Sequence, residues 1–283
     1  MHGCTQHAAT FAKESGWTQL ADGLRFALVL PETDKPLANG CFTWYQTSDA
    51  TRDQGEALSI KQMVDKMKSD HNIDPKRVYA TGLSAGGAMT SVMLAAYPDV
   101  FAGGAIVAGI PFGCAKTLID GFQCMSTGHP FAGPLIGNLP QSPGVCLIVP
   151  LLCHTITPSQ WGDFVRKASN FSGPFPKVSI WHGSADTTVS PINGTNEMLQ
   201  WTNVHGIDPR SAVQDTIKGF PHQTFKNTNG EPVVESYSIT GMSHGDPVDP
   251  GNGADQCGAT DQFMINEHIC SSLFIARFWG LAH

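Results

Sequence analysis

Five residues, Gly82-Leu83-Ser84-Ala85-Gly86, constrain this chain more than any others. A short β-favouring run, Val78 to Ala80, leads into them. A helix-favouring run, Ala88 to Ala96, leaves them and stops before Pro98. Strand, sharp turn and helix in that order is the setting in which G-x-S-x-G lifts a serine to the end of a sheet. The turn forces an unfavourable backbone at Ser84, and side chains at 82 and 86 would collide with the strand or the helix. The free N–H groups of the helix N-terminus then lie beside the hydroxyl and favour negative charge developing there. Without partners, the same residues are a glycine-rich turn with an idle serine.

Partners follow in a fixed order. Serine is a poor nucleophile until a base takes its proton, and the base is oriented by a carboxylate. In a sheet entered through such a turn the chain order is serine, acid, histidine. Lys177 to His182 reads as a strand, and Asp186 follows it. Val233 to Ile239 alternates like a strand, and His244 follows within Gly241-Met-Ser-His-Gly245. Both lie where open α/β sheets place their sites, beyond the carboxyl ends of strands. The plainer readings are a turn cap for Asp186 and a surface histidine for His244, one of 11 in the chain. His182 is the rival base, but it sits at a strand end and before the acid. His2 reads as structural, and His154, His205 and His268 have no motif around them.

The oxyanion formed in acyl transfer needs backbone N–H donors. Ala85 follows the serine and supplies one. His2-Gly3 leads into a loop whose next residue, Cys4, supplies the other. Asn39 to Tyr45 is an aromatic loop. If Cys41 is tied to Cys4, Phe42 and Trp44 stand beside the site as a wall for an apolar or aromatic acyl group; the alternative for Trp44 is core packing.

The rest of the chain reads as α/β. Helices are expected over Ala8–Asp22, Gln54–His71, Ser159–Ala168, Asn193–His205 and Gln262–Leu281. Buried strands are expected at Phe26–Leu30 and Gly103–Gly109. Residues 1–283 read as one catalytic domain. An insert at about 111–170 is long, rich in Gly, Pro and Cys, and carries Phe112, Phe122 and Phe131; segments of that kind act as lids or binding walls. A net charge of −7 with no basic block argues against nucleic acid and anionic membrane as partners. No apolar run approaches the roughly 18 residues of a membrane span. Eight cysteines, none in a C-x-x-C pair, point to disulfides and an oxidising compartment rather than to metal or thioredoxin chemistry. Proximity suggests Cys114/Cys124, Cys146/Cys153 and Cys257/Cys270, with Cys4 and Cys41 remaining, although sequence alone leaves every pairing open. Asn170-Phe-Ser172 and Asn193-Gly-Thr195 match the glycosylation sequon.

His2-Gly-Cys-Thr-Gln6, Asn39-Gly-Cys-Phe-Thr-Trp44, Gly82 to Met89, Trp181-His-Gly-Ser-Ala-Asp-Thr-Thr-Val189 and Gly241 to Gly245 together resemble the polyhydroxybutyrate (PHB) depolymerase family of esterases. Feruloyl and acetyl xylan esterases are its near relatives. The resemblance runs over nearly the whole chain. It implies an α/β-hydrolase fold with a mostly parallel central sheet flanked by helices. It also implies a Ser84–Asp186–His244 triad, an oxyanion hole from Cys4 and Ala85, and neither cofactor nor metal. Bridges Cys4–Cys41, Cys114–Cys124 and Cys257–Cys270 are implied as well, with secretion and an ester partner: a hydroxyalkanoate oligomer or polyester, or a plant-wall ester. The strands the family has ahead of the His-Gly step are not in this sequence, so the chain reads as starting inside the domain. No polymer-binding module follows, which favours dispersed substrates over granules. Within this fold a peptidase, a thioesterase or a silent binding protein are the competing readings.

Overall fold

The computed structural model describes residues 1–33, 39–129 and 156–282. Six strands form one mixed sheet in the order β1-β2-β3-β6-β5-β4. They are β1 (Tyr79–Leu83), β2 (Gly103–Val107), β3 (Lys177–Gly183), β4 (Val213–Ile217), β5 (Phe220–Lys226) and β6 (Pro232–Ile239). The pairs β1–β2, β2–β3 and β3–β6 are parallel, with Leu83 opposite Val107, Val107 opposite Trp181 and Gly183 opposite Ile239. The carboxyl ends of all four therefore open on one rim. That shared rim brings residues 84, 186 and 244 together across 160 positions of sequence.

Helices cover both faces, as a parallel sheet requires. On one face lie α4 (Gly55–Asp70), α5 (Ala85–Ala96), α7 (Pro158–Arg166) and α8 (Ile192–Val204). They share a core that includes Ile60, Met89, Met93, Trp161 and Trp201. Every residue of α5 is buried, and its small side chains let it lie close on the sheet. On the other face α1 (Ala8–Glu14), α2 (Trp17–Leu24) and α9 (Ser271–Phe278) pack Phe11, Trp17 and Ile275 around Trp181, whose ring stacks on Tyr237 at 3.7 Å. The remaining elements are α3 (Thr47–Ala50), α6 (Leu118–Thr127) and a two-stranded parallel pair, β7 (Asp246–Val248) with β8 (Met264–Asn266).

Three expectations change, and one element is new. The helix expected over Ala8–Asp22 is two helices, broken where Gly16 adopts φ 88° and lies so close to Cys257 that a Cβ would stand 2.8 Å from its sulfur. Phe26–Leu30 is no strand. It forms one wall of an apolar groove of about 180 Å³ whose other wall is the outer edge of β1 at Tyr79–Thr81, so it has no ladder to join. The final helix is short, because Met264–Asn266 pairs with β7 and Cys270 is bridged to Cys257 before Ser271 starts the helix. The hairpin β4–β5 was not expected at all. Its signal was Lys218-Gly219, which turns with φ 52° and 92°, the two positive angles of a tight hairpin. His222 fastens that hairpin to the sheet, with Nδ1 2.6 Å from Asp215 and Nε2 3.3 Å from Glu235.

Disulfides Cys4–Cys41, Cys114–Cys124 and Cys257–Cys270 are formed. Cys146, Cys153 and His154 lie outside the described residues, as does residues 130–155 of the expected insert. Its described flanks hold α6 and α7. Three bridges among the described residues fit an oxidising environment.

Candidate active site

Ser84 occupies the tip of the β1–α5 turn with φ 58° and ψ −119°, a conformation an L-residue holds only when its surroundings enforce it. Here they do. Its N–H donates to the Val107 carbonyl at 2.9 Å, and its own carbonyl accepts from Ala88 at 2.8 Å. A Cβ on Gly86 would run into the carbonyls of Met1 and His2, and one on Gly82 into the carbonyl of Gly86. The loop at residues 1–4 and the serine turn are thus fitted backbone to backbone.

His244, five residues past β6, bridges the other two groups. Its Nε2 is 2.9 Å from Ser84 Oγ and its Nδ1 is 2.7 Å from Asp186 Oδ2. A carboxylate only accepts, so Nδ1 carries the ring proton and Nε2 offers a lone pair to the serine O–H. Asp186 is 4% exposed, and its second oxygen, Oδ1, accepts the N–H groups of Thr188 and Val189, each at 2.8 Å. Burial pushes its carboxyl up, but the hydrogen bonds from His182 and His244 outweigh that and hold it well below the usual carboxylate range. The acid therefore stays ionised facing His244.

The first loop packs against the serine turn. Gly3 packs on the turn, and a Cβ there would stand 3.5 Å from Ser84 Cβ. His2 is fully buried. Its Nδ1–H donates to the Gly3 carbonyl at 2.7 Å and its Nε2 accepts the Thr33 N–H at 3.2 Å, so it holds the loop as expected rather than reacting. Gln6 accepts the Gly3 N–H at 2.8 Å, and Cys4 is tied to Cys41. Ala85 follows Ser84 as the first residue of α5, and Cys4 follows Gly3 in the loop that packs on the serine turn.

Phe42 and Trp44 are 2% and 9% exposed. Phe42 packs 4.9 Å from the His2 ring; Trp44 meets Tyr45 edge-on and lies under Gly121 of α6. Packing buries both side chains almost wholly, Trp44 slightly less than Phe42. His205 bonds the Pro176 carbonyl and His268 is exposed; neither approaches the serine. The sequon at Asn193 is closed to modification in the fold: its side chain is fully buried and donates to the carbonyls of Cys124, Met125 and Ser190. It ties α6 to α8, a role that no sequence signal announced.

Fold and rim geometry define an α/β hydrolase. An acetyl xylan esterase from Aspergillus awamori superposes with a TM-score of 0.71 over 99% of this chain and 87% of that one, at 21% identity, a likeness of fold. The family model for esterase PHB depolymerase matches residues 1–135. Poly(3-hydroxyalkanoate) depolymerase C of Paucimonas lemoignei is 49% identical over 99% of this chain, which spans 62% of that protein's length. Feruloyl esterase B of Thermothelomyces thermophilus is 33% identical over 78% of this chain and 68% of its own. The chain belongs to the PHB depolymerase family of esterases.

Proposed function

We propose that the chain is a secreted serine esterase in which Ser84, His244 and Asp186 act as one triad. The observation that carries this reading is His244 bridging Ser84 Oγ and Asp186 at hydrogen-bond distance on both sides. Ser84 Oγ attacks the ester carbonyl while His244 Nε2 takes its proton. The tetrahedral oxyanion sits against the N–H groups of Cys4 and Ala85, donors that need no rearrangement as charge develops. On collapse the C–O bond to the alcohol breaks, and His244 returns the proton to the leaving oxygen. Water then attacks the acyl-enzyme, again deprotonated by His244, and releases the acid and the free serine. Asp186 keeps the imidazole in the tautomer that every step uses.

The substrate class we favour is a hydroxyalkanoate ester, because the relative that matches over 99% of the chain is named a poly(3-hydroxyalkanoate) depolymerase. A feruloyl or acetyl xylan ester is the second reading, supported by the names of the more distant relatives. No Lys or Arg stands in the motifs that carry Ser84, Asp186 and His244, so neutral esters suit the site. We assign the small part of Trp44 that stays exposed to the wall of the acyl pocket. Assayed on hydroxybutyrate trimer, methyl ferulate and acetylated xylan, the wild type is expected to give its highest kcat/KM on the trimer. Trp44→Ala is expected to lower the trimer and ferulate values by about tenfold, the effect of one lost pocket contact, while acetyl release changes little. Equal losses on all three would make Trp44 a packing residue and remove it from the pocket.

A further inference from the structure

Asp186 is met by two imidazoles. His244 approaches Oδ2 from the loop after β6. His182, inside β3, sets its Nε2 3.5 Å from the same oxygen and 2.9 Å from the Val189 carbonyl. A carbonyl can only accept, so Nε2 carries the ring proton of His182. Val189 in turn donates its N–H to Asp186 Oδ1. The turn from 186 to 189 is closed twice, by the carboxylate on the Val189 N–H and by the imidazole on the Val189 carbonyl. The ring is pinned from behind by Gly194 of α8, where a Cβ would stand 3.0 Å from His182 Cβ and 3.2 Å from Nδ1. That Nδ1 is buried without a partner among the described residues. An apolar side chain would remove that unmet acceptor but would leave the Val189 carbonyl without its N–H donor, so the imidazole is kept for what its Nε2–H does.

We propose that His182 is a positioning residue for the reaction: its Nε2–H holds the Asp186–Val189 turn and shares Oδ2 with His244, so the angle of the carboxylate and its pull on the His244 Nδ1–H are set from both sides. This rests on the triad reading above. Among the described residues, His182 and His244 act on Asp186, and Glu197 of α8 is a buried carboxyl on the same helix as Gly194. Burial pushes the Glu197 carboxyl well above its ordinary range, and its Oε1 lies against Gly109, just past β2.

Glutamine and methionine are matched in length, and only glutamine carries an N–H where His182 has Nε2. His182→Met is expected to lower kcat by about tenfold with KM little changed, since a small misplacement of a catalytic group is felt in the chemical step. Its kcat/KM profile should also move on the acid side to higher pH, because the Asp186 carboxylate, held low by the donors His182 and His244, then rests on the His244 Nδ1–H alone and pulls on it harder. His182→Gln should recover most of kcat and return the acid limb to the wild-type position. Wild-type kcat and limb in His182→Met, or equal losses in both variants, would overturn the proposal. Should His182→Met not fold, His182→Gln decides alone: a folded variant with the wild-type limb supports it, and one with a displaced limb overturns it. Ser84→Ala assayed beside them separates the two readings. An active Ser84→Ala removes the triad itself, whereas an inactive one beside an unaltered His182→Met removes only this role of His182.

Discussion

Ser84→Ala is expected to lower kcat for ester hydrolysis by about 10⁴-fold or more while leaving the protein folded. Among the described residues Ser84 Oγ bonds to His244 Nε2, and the strained turn is held by backbone contacts to Val107 and Ala88 that alanine keeps. The loss is therefore chemical. Without Oγ there is no acyl-enzyme, and the remaining N–H donors can assist only direct attack by water. A 10⁴-fold fall corresponds to about 5.5 kcal/mol of transition-state stabilisation, in line with the removal of a triad nucleophile. Steady-state kinetics on a p-nitrophenyl ester, with Tm measured in parallel, check it. Activity within tenfold of wild type would mean that another group does the attacking.

Asp186→Asn is expected to cost a similar factor, about 10⁴ in kcat, for a different reason. The asparagine oxygen can still accept the N–H groups of Thr188 and Val189, so the turn survives. That leaves the amide NH₂ facing His244 Nδ1 in place of Oδ2. An N–H group cannot accept, so the imidazole must turn its bare nitrogen to the amide and carry its proton on Nε2, the atom that has to receive the proton of Ser84. The variant should bind substrate with little change in KM and lose its rate. A kcat above one tenth of wild type would show that the carboxylate is not the orienting group.

The site was legible where local chemistry fixed it. Glycines at 82 and 86 are required by carbonyls that close around them, and that requirement is written into the G-x-S-x-G spacing. Asp186 and His244 could be placed because each follows its strand by a few residues, and parallel pairing then brings the ends together. The apolar run Phe26–Leu30 misled, since apolar content signals burial and not a hydrogen-bonding neighbour; here the neighbour is a groove. The break at Gly16 was hidden because its cause is Cys257, distant in sequence. Trp44 shows the limit for side chains. Its loop was placed beside the site, but how much of the ring faces substrate depends on α6 packing over it. His182 stood in the motif and was weighed as a base. Its place behind Asp186 follows only once the turn at Val189 folds back onto the ring.

The central claim is that Ser84 is a nucleophile activated by His244. The most direct measurement is stoichiometric labelling with an alkyl fluorophosphonate, read by intact mass and peptide mapping. Attack by Ser84 Oγ expels fluoride and leaves a phosphonyl ester that the N–H groups of Cys4 and Ala85 stabilise. The account predicts one phosphonyl group per folded chain, on Ser84, with hydrolysis lost in step with labelling. A folded wild-type protein that hydrolyses esters while Ser84 stays unlabelled, or that takes up its label on another residue, would contradict it.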